Sequence, residues 1–295
     1  MNHAKNPVVQ HIVDHMGTLT PKGRILGNYV VQHPQQVVFM TTKELARACA
    51  VSEATVVRFV SQLGYGTYGA FLQALRDLVN TGMTLQERVD LPTLKGAEGD
   101  RLGQVMTEEM ENMRQLYQTI DRETLNAFID QLWDAPSVYI AGARLSYTFA
   151  YYFGWSLSKV RKGVNILKGS DSTVFDRLNN APTDALVVIV TTSRYPNELI
   201  RLAKLVRRLD QILLVMADSP LCPLFPFAHK TLVVPSQFIP YTGYIAAMSS
   251  VISYLILELA AKHREKVSPH QEKLEQIYLE NDILFNLPIT AEPNP

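Results

Sequence analysis

The spacing of hydrophobic positions changes character partway along the chain. In residues 20–33, Ile25, Leu26, Tyr29 and Val30 fall on one side of a predicted helix whose first turn takes Pro21. The stretch TTKELARACAVSEATVVRFVSQLG, residues 41–64, predicts two short helices joined by a tight turn. Thr42 is placed to cap the first, which runs through Glu44, Leu45 and Ala48, and Ala50, Val51 and Ser52 make the turn. Ser52 then caps the second, where Val56, Phe59, Val60 and Leu63 recur at i, i+3, i+4 and i+7 before Gly64 ends it. Residues 68–79 continue the pattern with Phe71, Leu72, Leu75 and Leu78. Together they predict an all-α helix-turn-helix domain over residues 1–80. A unit of that size is near the lower limit for independent folding, so pairing of two copies would help stabilise it.

Beyond it the pattern weakens. Gly82, Pro92, Gly96 and Gly99 sit among charges, and residues 81–103 are expected to be a linker. Helical spacing resumes near Leu102, with Val105, Met106, Met110, Met113 and Leu116, and again over residues 124–133. The period then changes. Five short β-branched runs, at 137–142, 164–169, 184–190, 211–217 and 230–235, lack alternation and are mostly divided by helical segments. Such runs predict a five-stranded parallel sheet covered on both faces, a doubly wound α/β domain over residues 104–286. Helices are expected at 241–263 and 269–285, and residues 287–295 form a disordered tail.

Composition narrows the class. The 295 residues are 47% hydrophobic and 19% charged, as in a globular protein with substantial cores. Basic and acidic side chains balance at 28 each, which excludes a strongly basic nucleic-acid coat. The distribution is uneven: residues 1–80 carry seven basic side chains against four acidic, and the remainder 21 against 24. A mildly basic small domain suits local contact with phosphates. Two distant cysteines, Cys49 and Cys222, form neither a disulfide framework nor a zinc spacing, so a reducing cytoplasm is expected. The run from Ile245 to Ala261 is broken by Ser249, Ser250, Ser253 and Glu258, which argues for a buried helix and against a membrane span.

Candidate chemistry gathers in two places. On the second motif helix, Ser52, Glu53, Thr55 and Arg58 make a polar flank of short hydroxyls and a forked guanidinium, suited to a major groove, with Lys43 and Tyr68 as phosphate contacts. Open parallel sheets bind ligands outside the carboxyl ends of their strands. Here those ends carry Ala143, Arg144 and Ser146, then Ser170, then Thr191, Thr192, Ser193 and Arg194. Hydroxyls and free N–H groups at helix N-termini form an anion site, and arginines add bidentate recognition. The competing reading is that the serines are helix caps and the arginines solvated. His11 and His15 have a metal-like i, i+4 spacing but no third ligand nearby, and the methionines at helical spacing are core or interface. Trp133 and Trp155 are expected to pack inside the α/β domain, and Glu198 and Asp171 lie near the pocket without a histidine partner.

These residues carry a resemblance. SEATVVRFVSQLGY resembles the second helix of the RpiR-type transcriptional regulators, and GARLS, TTSRYPNELIRLAKLVRR and ADSPLCPLFPFAHKTLVVP resemble the sugar isomerase (SIS) domain that follows in that family. The usual SIS loops are of the type G-x-G-x-S and S-x-S-G-x-T. Arg144 stands at the second glycine of the first loop, and Arg194 and Pro196 at the glycine and threonine of the second. The resemblance implies a regulator that binds a double-stranded DNA operator as a homodimer or homotetramer, without a cofactor. A small anionic metabolite, a sugar phosphate or a related acid, would act through the SIS-like domain. The alternatives are a sugar-phosphate isomerase with an accessory helical domain, and an α/β domain that serves only to dimerise.

Overall fold

Side-chain caps set the boundaries of the N-terminal helices. The computed structural model describes residues 7–38, 40–72, 74–75, 100–192, 194–234 and 245–284. Helix α1 (Pro7–His15) precedes α2 (Pro21–Gln32), where Thr20 accepts from the Gly23 N–H, and a single turn, α3 (Pro34–Val37), follows. Helix α4 (Thr42–Ala48) is capped by Thr41 and not by Thr42. The reason is Glu44, which stands three positions after Thr41 and closes a reciprocal box. Its carboxylate accepts from the Thr41 N–H at 2.7 Å, and its own N–H donates to Thr41 Oγ1 at 3.2 Å. The Thr41 N–H and the Thr41 hydroxyl, which both donate to it, hold the Glu44 carboxyl below its ordinary range. Helix α5 (Glu53–Gln62) starts at Ser52, which accepts from the Thr55 N–H, and stops where Gly64 turns left-handed at φ 81°. Residues 68–72 and 74–75 are helical; the rest of the segment expected to run to Val79 lies outside the described residues.

The core of this domain joins Val8, Ile12, Leu26, Val30, Leu45, Val56, Phe59, Val60, Leu63 and Phe71. Phe59 meets Phe71 edge to face, with ring centroids 6.0 Å apart. Helix α1, which the pattern did not reveal, buries Val8, Val9 and Ile12. Nine residues give too few turns for a period to register, and packing more than propensity sustains a helix that short.

The second domain opens with α6 (Arg101–Thr119) and α7 (Arg122–Asp134). Residues 101–103, assigned to the linker, form the first turn of α6, because Asp100 accepts from the Gly103 N–H at 2.7 Å and caps it; residues 81–99 lie outside the described residues. Then come β1 (Val138–Gly142), α8 (Leu145–Ser158), β2 (Val164–Lys168), α9 (Thr173–Asn179), β3 (Leu186–Thr191), α10 (Asn197–Arg208), β4 (Ile212–Ala217) and β5 (Lys230–Val233). All pairings are parallel, in the order β2-β1-β3-β4-β5. Helices α11 (Ala246–Lys262) and α12 (Arg264–Glu280) follow.

Alternate strand residues feed two cores. Ile140, Val188, Val190 and Leu214 pack against α7, α8 and α11, and Val187, Ile189, Leu213 and Val215 pack against α9 and α10. The covering on both faces explains the unbroken apolar runs. Two expectations change and a third narrows. The last helix begins at Arg264 with Pro269 inside it, so proline does not open it. Trp155 is 46% exposed under the Lys159 ammonium instead of packing inside. On α6, Leu102, Val105, Met106, Met110, Met113 and Tyr117 are exposed and only Leu116 of the run is core, so the core alternative for the methionines does not hold. Among the described residues no helix is long and apolar enough to cross a membrane. The expected tail, residues 287–295, lies outside them.

Candidate functional site

The turn between α4 and α5 is held by two backbone devices. Ala50 takes a left-handed conformation at φ 51°, and the Val51 N–H returns to the Ala46 carbonyl at 2.9 Å. The Thr42 hydroxyl then donates to the Glu53 carboxylate at 3.0 Å, tying the start of one helix to the start of the next. With Val56, Phe59, Val60 and Leu63 buried, the face left to solvent is Glu53, Ala54, Val57, Arg58, Ser61 and Gln62.

Of the candidate DNA contacts, Lys43, Ser52, Glu53 and Arg58 are exposed. Thr55 is not: it is 8% exposed, and its hydroxyl shares a 2.8 Å hydrogen bond with Ser52 Oγ. Thr55 sits one position nearer the apolar stripe than the flank required. Tyr68 is half-buried and donates its hydroxyl to the Met40 carbonyl at 2.9 Å, which commits that proton inside the domain. Sequence reasoning missed Ala54 and Val57, because apolar residues on a DNA-facing helix look like core. Their methyl groups are of the kind that meets a thymine methyl. It also missed Lys22, which with Thr20, Gly23, Arg58 and Gln62 lines a groove between the N-terminus of α2 and α5. Among the described residues no carboxylate lies within 4.0 Å of Lys22, Lys43 or Arg58. His11 and His15 serve packing: His11 Nε2 bonds the Leu63 carbonyl and His15 Nδ1 the His11 carbonyl.

The second site lies where β1 and β3 end side by side. The chain leaves β1 toward β2 on one side and reaches β3 on the other, which makes this the switch point of the sheet. A Cβ on Gly142 would come within 2.4 Å of the Ser146 carbonyl, so only glycine lets α8 start this close to its strand. Ala143 is buried. Arg144 has φ 54° and ψ −131°, and Arg194, after β3, has φ 68°. Both backbones keep the conformation a glycine adopts freely, and each costs an arginine about 1–3 kcal/mol. Both side chains are exposed, and among the described residues neither has a carboxylate within 4.0 Å.

Between them the hydroxyls are buried. Ser146 Oγ lies 3.1 Å from Thr192 Oγ1, which joins the two loops. Thr191 is fully buried, and among the described residues its hydroxyl has no hydrogen-bond partner. Ser170 is exposed at the end of β2, on the far side of β1, and Ser193 lies outside the described residues. Sequence reasoning missed Tyr195 and Asp218, whose 3.0 Å hydrogen bond ties the β3 loop to the end of β4. Burial, and then the Asp218 charge, pushes the Tyr195 phenol far up. Burial also pushes the Cys222 thiol up to about 12, so it is a neutral core group. Asp171 donates no proton here. Its carboxyl accepts from the Thr173 N–H at 3.0 Å and is held below its ordinary range by that bond.

Comparison with known proteins follows the same division. The model of the rpiR-family helix-turn-helix domain matches residues 7–81, and that of the SIS domain matches residues 131–263. A curated relative, the uncharacterized HTH-type transcriptional regulator YfhH of Escherichia coli K12, is 24% identical over 179 residues, which cover 59% of this chain. The matched part spans only 62% of the length of that relative. Among solved structures, Vibrio vulnificus NanR complexed with ManNAc-6P matches with a TM-score of 0.58 at 20% identity, covering 95% of this chain and 100% of that one. The sugar isomerase domain of an RpiR transcription factor from Sphaerobacter thermophilus gives 0.58 at 20% identity, over 60% of this chain and 99% of that one. At such identities the likeness establishes the fold. With the rpiR-type helix-turn-helix first and the SIS domain after it, the chain belongs to the RpiR family of helix-turn-helix proteins.

Proposed function

We propose that this chain is a transcriptional regulator whose hold on an operator depends on a small anion bound at the switch point of its sheet. The exposed face of α5 carries the reading. It has a capped N-terminus, a guanidinium with no carboxylate within 4.0 Å among the described residues, and two small apolar side chains, on a helix fixed to its neighbour by the Thr42–Glu53 bond. Arg58, Glu53, Ala54 and Val57 are the base-reading set, while Lys43 and Lys22 reach phosphates. Ser52 organises the helix end and Thr55 supports it from below. Quantitative gel shifts with DNA fragments selected by the full-length protein test this. A clear sequence preference supports the reading, and equal affinity for selected and scrambled DNA at about 150 mM salt refutes it.

The anion is a sugar phosphate or a related acid. Ala143, Arg144, Ser146, Thr191, Thr192, Ser193 and Arg194 are the groups assigned to it, with Ser170 at the margin. NanR, which shares the fold, is complexed with ManNAc-6P, and that supports this class of effector. The regulator works as a homo-oligomer, for which the apolar stripe of α6 and the exposed Tyr254 and Leu257 of α11 provide surface. A ligand alters operator affinity only by binding one arrangement of that assembly more tightly than another.

The SIS domain also supports a second reading, a sugar-phosphate isomerase. Proton shuttling between adjacent carbons needs an acid–base pair, and Asp171 is tied up as an ionised turn-former. Turnover of ketose and aldose phosphates by the purified chain, lost on Glu198→Gln, would favour the enzyme.

A further inference from the structure

We infer that the effector carries two separated anionic groups, a bisphosphorylated sugar or a phosphorylated sugar acid, and that Arg144 and Arg194 take the second of them. This rests on the sensor reading above and specifies its ligand. The starting observation is that the backbone at both positions is one a glycine adopts at no cost, yet both residues are arginine. An arginine that merely filled space would let its loop relax toward an ordinary conformation. Here both loops keep the glycine geometry and add a side chain to it.

The first anion is provided for without the guanidiniums. Ser146 and Thr192 sit within 3.1 Å of each other across the two strand ends. Thr191, beside Thr192, is fully buried with a hydroxyl that has no partner among the described residues. A buried hydroxyl without a partner is costly in a finished core, and a ligand oxygen that reached this end of β3 would remove that cost. Helices α8 and α10 start just after these loops, so free N–H groups add to the same cradle. One phosphate satisfies it.

Arg144 and Arg194, exposed where the cradle hydroxyls are buried, introduce two positive charges. Lys168, exposed at the end of β2 in register with Gly142, adds a third cation to the rim. The carboxylates of this edge are occupied elsewhere or stand apart. Asp218 bonds Tyr195, Asp171 bonds the Thr173 N–H, and Glu198, in the first turn of α10, makes no ion pair within 4.0 Å among the described residues. A plain sugar monophosphate would turn its uncharged hydroxyl end toward this rim. A ligand with a carboxylate or second phosphate at that end matches it, because planar guanidiniums bind such groups in pairs of parallel hydrogen bonds.

The test is calorimetric titration of the full chain with four probes: inorganic phosphate, a hexose 6-phosphate, a hexose 1,6-bisphosphate and 6-phosphogluconate. At least one doubly anionic probe is expected to bind about tenfold or more tightly than the hexose 6-phosphate. In Arg144→Gly/Arg194→Gly that advantage, measured against the hexose 6-phosphate on the same variant, falls to about twofold or less. The same variant is expected to unfold at a higher temperature, which an arginine pair with no conformational cost would not produce. Should it fail to accumulate, Arg144→Gln/Arg194→Gln removes the charge and keeps the bulk, with the same expectation for binding. If the wild-type chain binds the monophosphate as tightly as both doubly charged probes, the inference is wrong and the sensor reading stands. If the preference persists in both double variants, the arginines are not its cause and the assignment is wrong. If none of the four probes binds, the inference falls together with the sensor reading.

Discussion

The helix-turn-helix domain and the edge of the sheet place their working side chains by opposite means. In the first, Arg58 projects from the middle of a helix whose caps, turn and core all follow local rules, and among the described residues the one non-glycine residue with positive φ, Ala50, is in the turn. In the second, the strained residues are the candidate ligands themselves. A surface on a regular element inherits its geometry from periodicity, so its chemistry can be changed without disturbing the fold. A surface on strained loops is held in place by the strands on either side and trades stability for position.

The most forceful way to break this comparison is to unfold one half. Phe59→Ala is expected to cost about 3–5 kcal/mol and to abolish operator binding. The cores of the two domains share no residue. Calorimetry should therefore show one transition displaced and the other in place; a single transition that moves as a whole would mean that the halves are energetically one. Next in size, Arg58→Ala should weaken selected-site binding by about 1–3 kcal/mol while leaving both transitions unchanged. A loss of stability there would mean that the guanidinium supports the domain instead of reading bases.

Two serine substitutions sharpen the contrast further. Ser52→Ala should destabilise the N-terminal domain by about 1 kcal/mol through loss of the cap, measurable as a lower denaturant midpoint. Ser146→Ala should cost the α/β domain a similar amount, because it leaves Thr192 without its partner in a buried site. Only the second should also weaken binding of a hexose phosphate.

The smallest effect is a pH slope that His229 gives the α/β domain. His229 Nδ1 accepts from the Leu213 N–H at 2.9 Å, and burial followed by the Arg207 charge holds the ring below its ordinary value of 6.5. The folded chain therefore prefers it neutral. Its stabilising contribution is complete above about pH 6.5 and is lost as pH falls below that, because the unfolded chain takes up the proton first. His263, also lowered by burial, adds a slope of the same sign. His229→Gln should flatten the acid limb of a thermal-melt series for the α/β domain without removing it, and an unchanged limb would locate the whole slope elsewhere.

What the sequence disclosed follows the same line. All five strands, the two motif helices and the order of the domains could be read, because apolar runs such as LVVIV and the spacing of Val56, Phe59, Val60 and Leu63 have direct structural causes. The exposed side of α5 was legible except at its margins. Thr55 turned inward by one position, while Ala54 and Val57 are apolar yet face outward. At the sheet edge, the residue types could be read but not their state. Nothing local announces that Tyr195 reaches across to Asp218 or that Thr191 has no partner among the described residues, since both depend on which strands become neighbours. The stripe on α6 was visible as a stripe, and only the three-dimensional arrangement decided that it faces outward.

The two left-handed arginines also bear on how such a sensor changes its diet. A single base change separates every arginine codon from a glycine codon, and at positions 144 and 194 the loop already has the shape that glycine would take. Moving between ligand charge types there requires no rebuilding of scaffold and no intermediate that fails to fold. Where the two arginines select the ligand as inferred above, a different specificity is two point mutations away, with each step accessible to selection on its own.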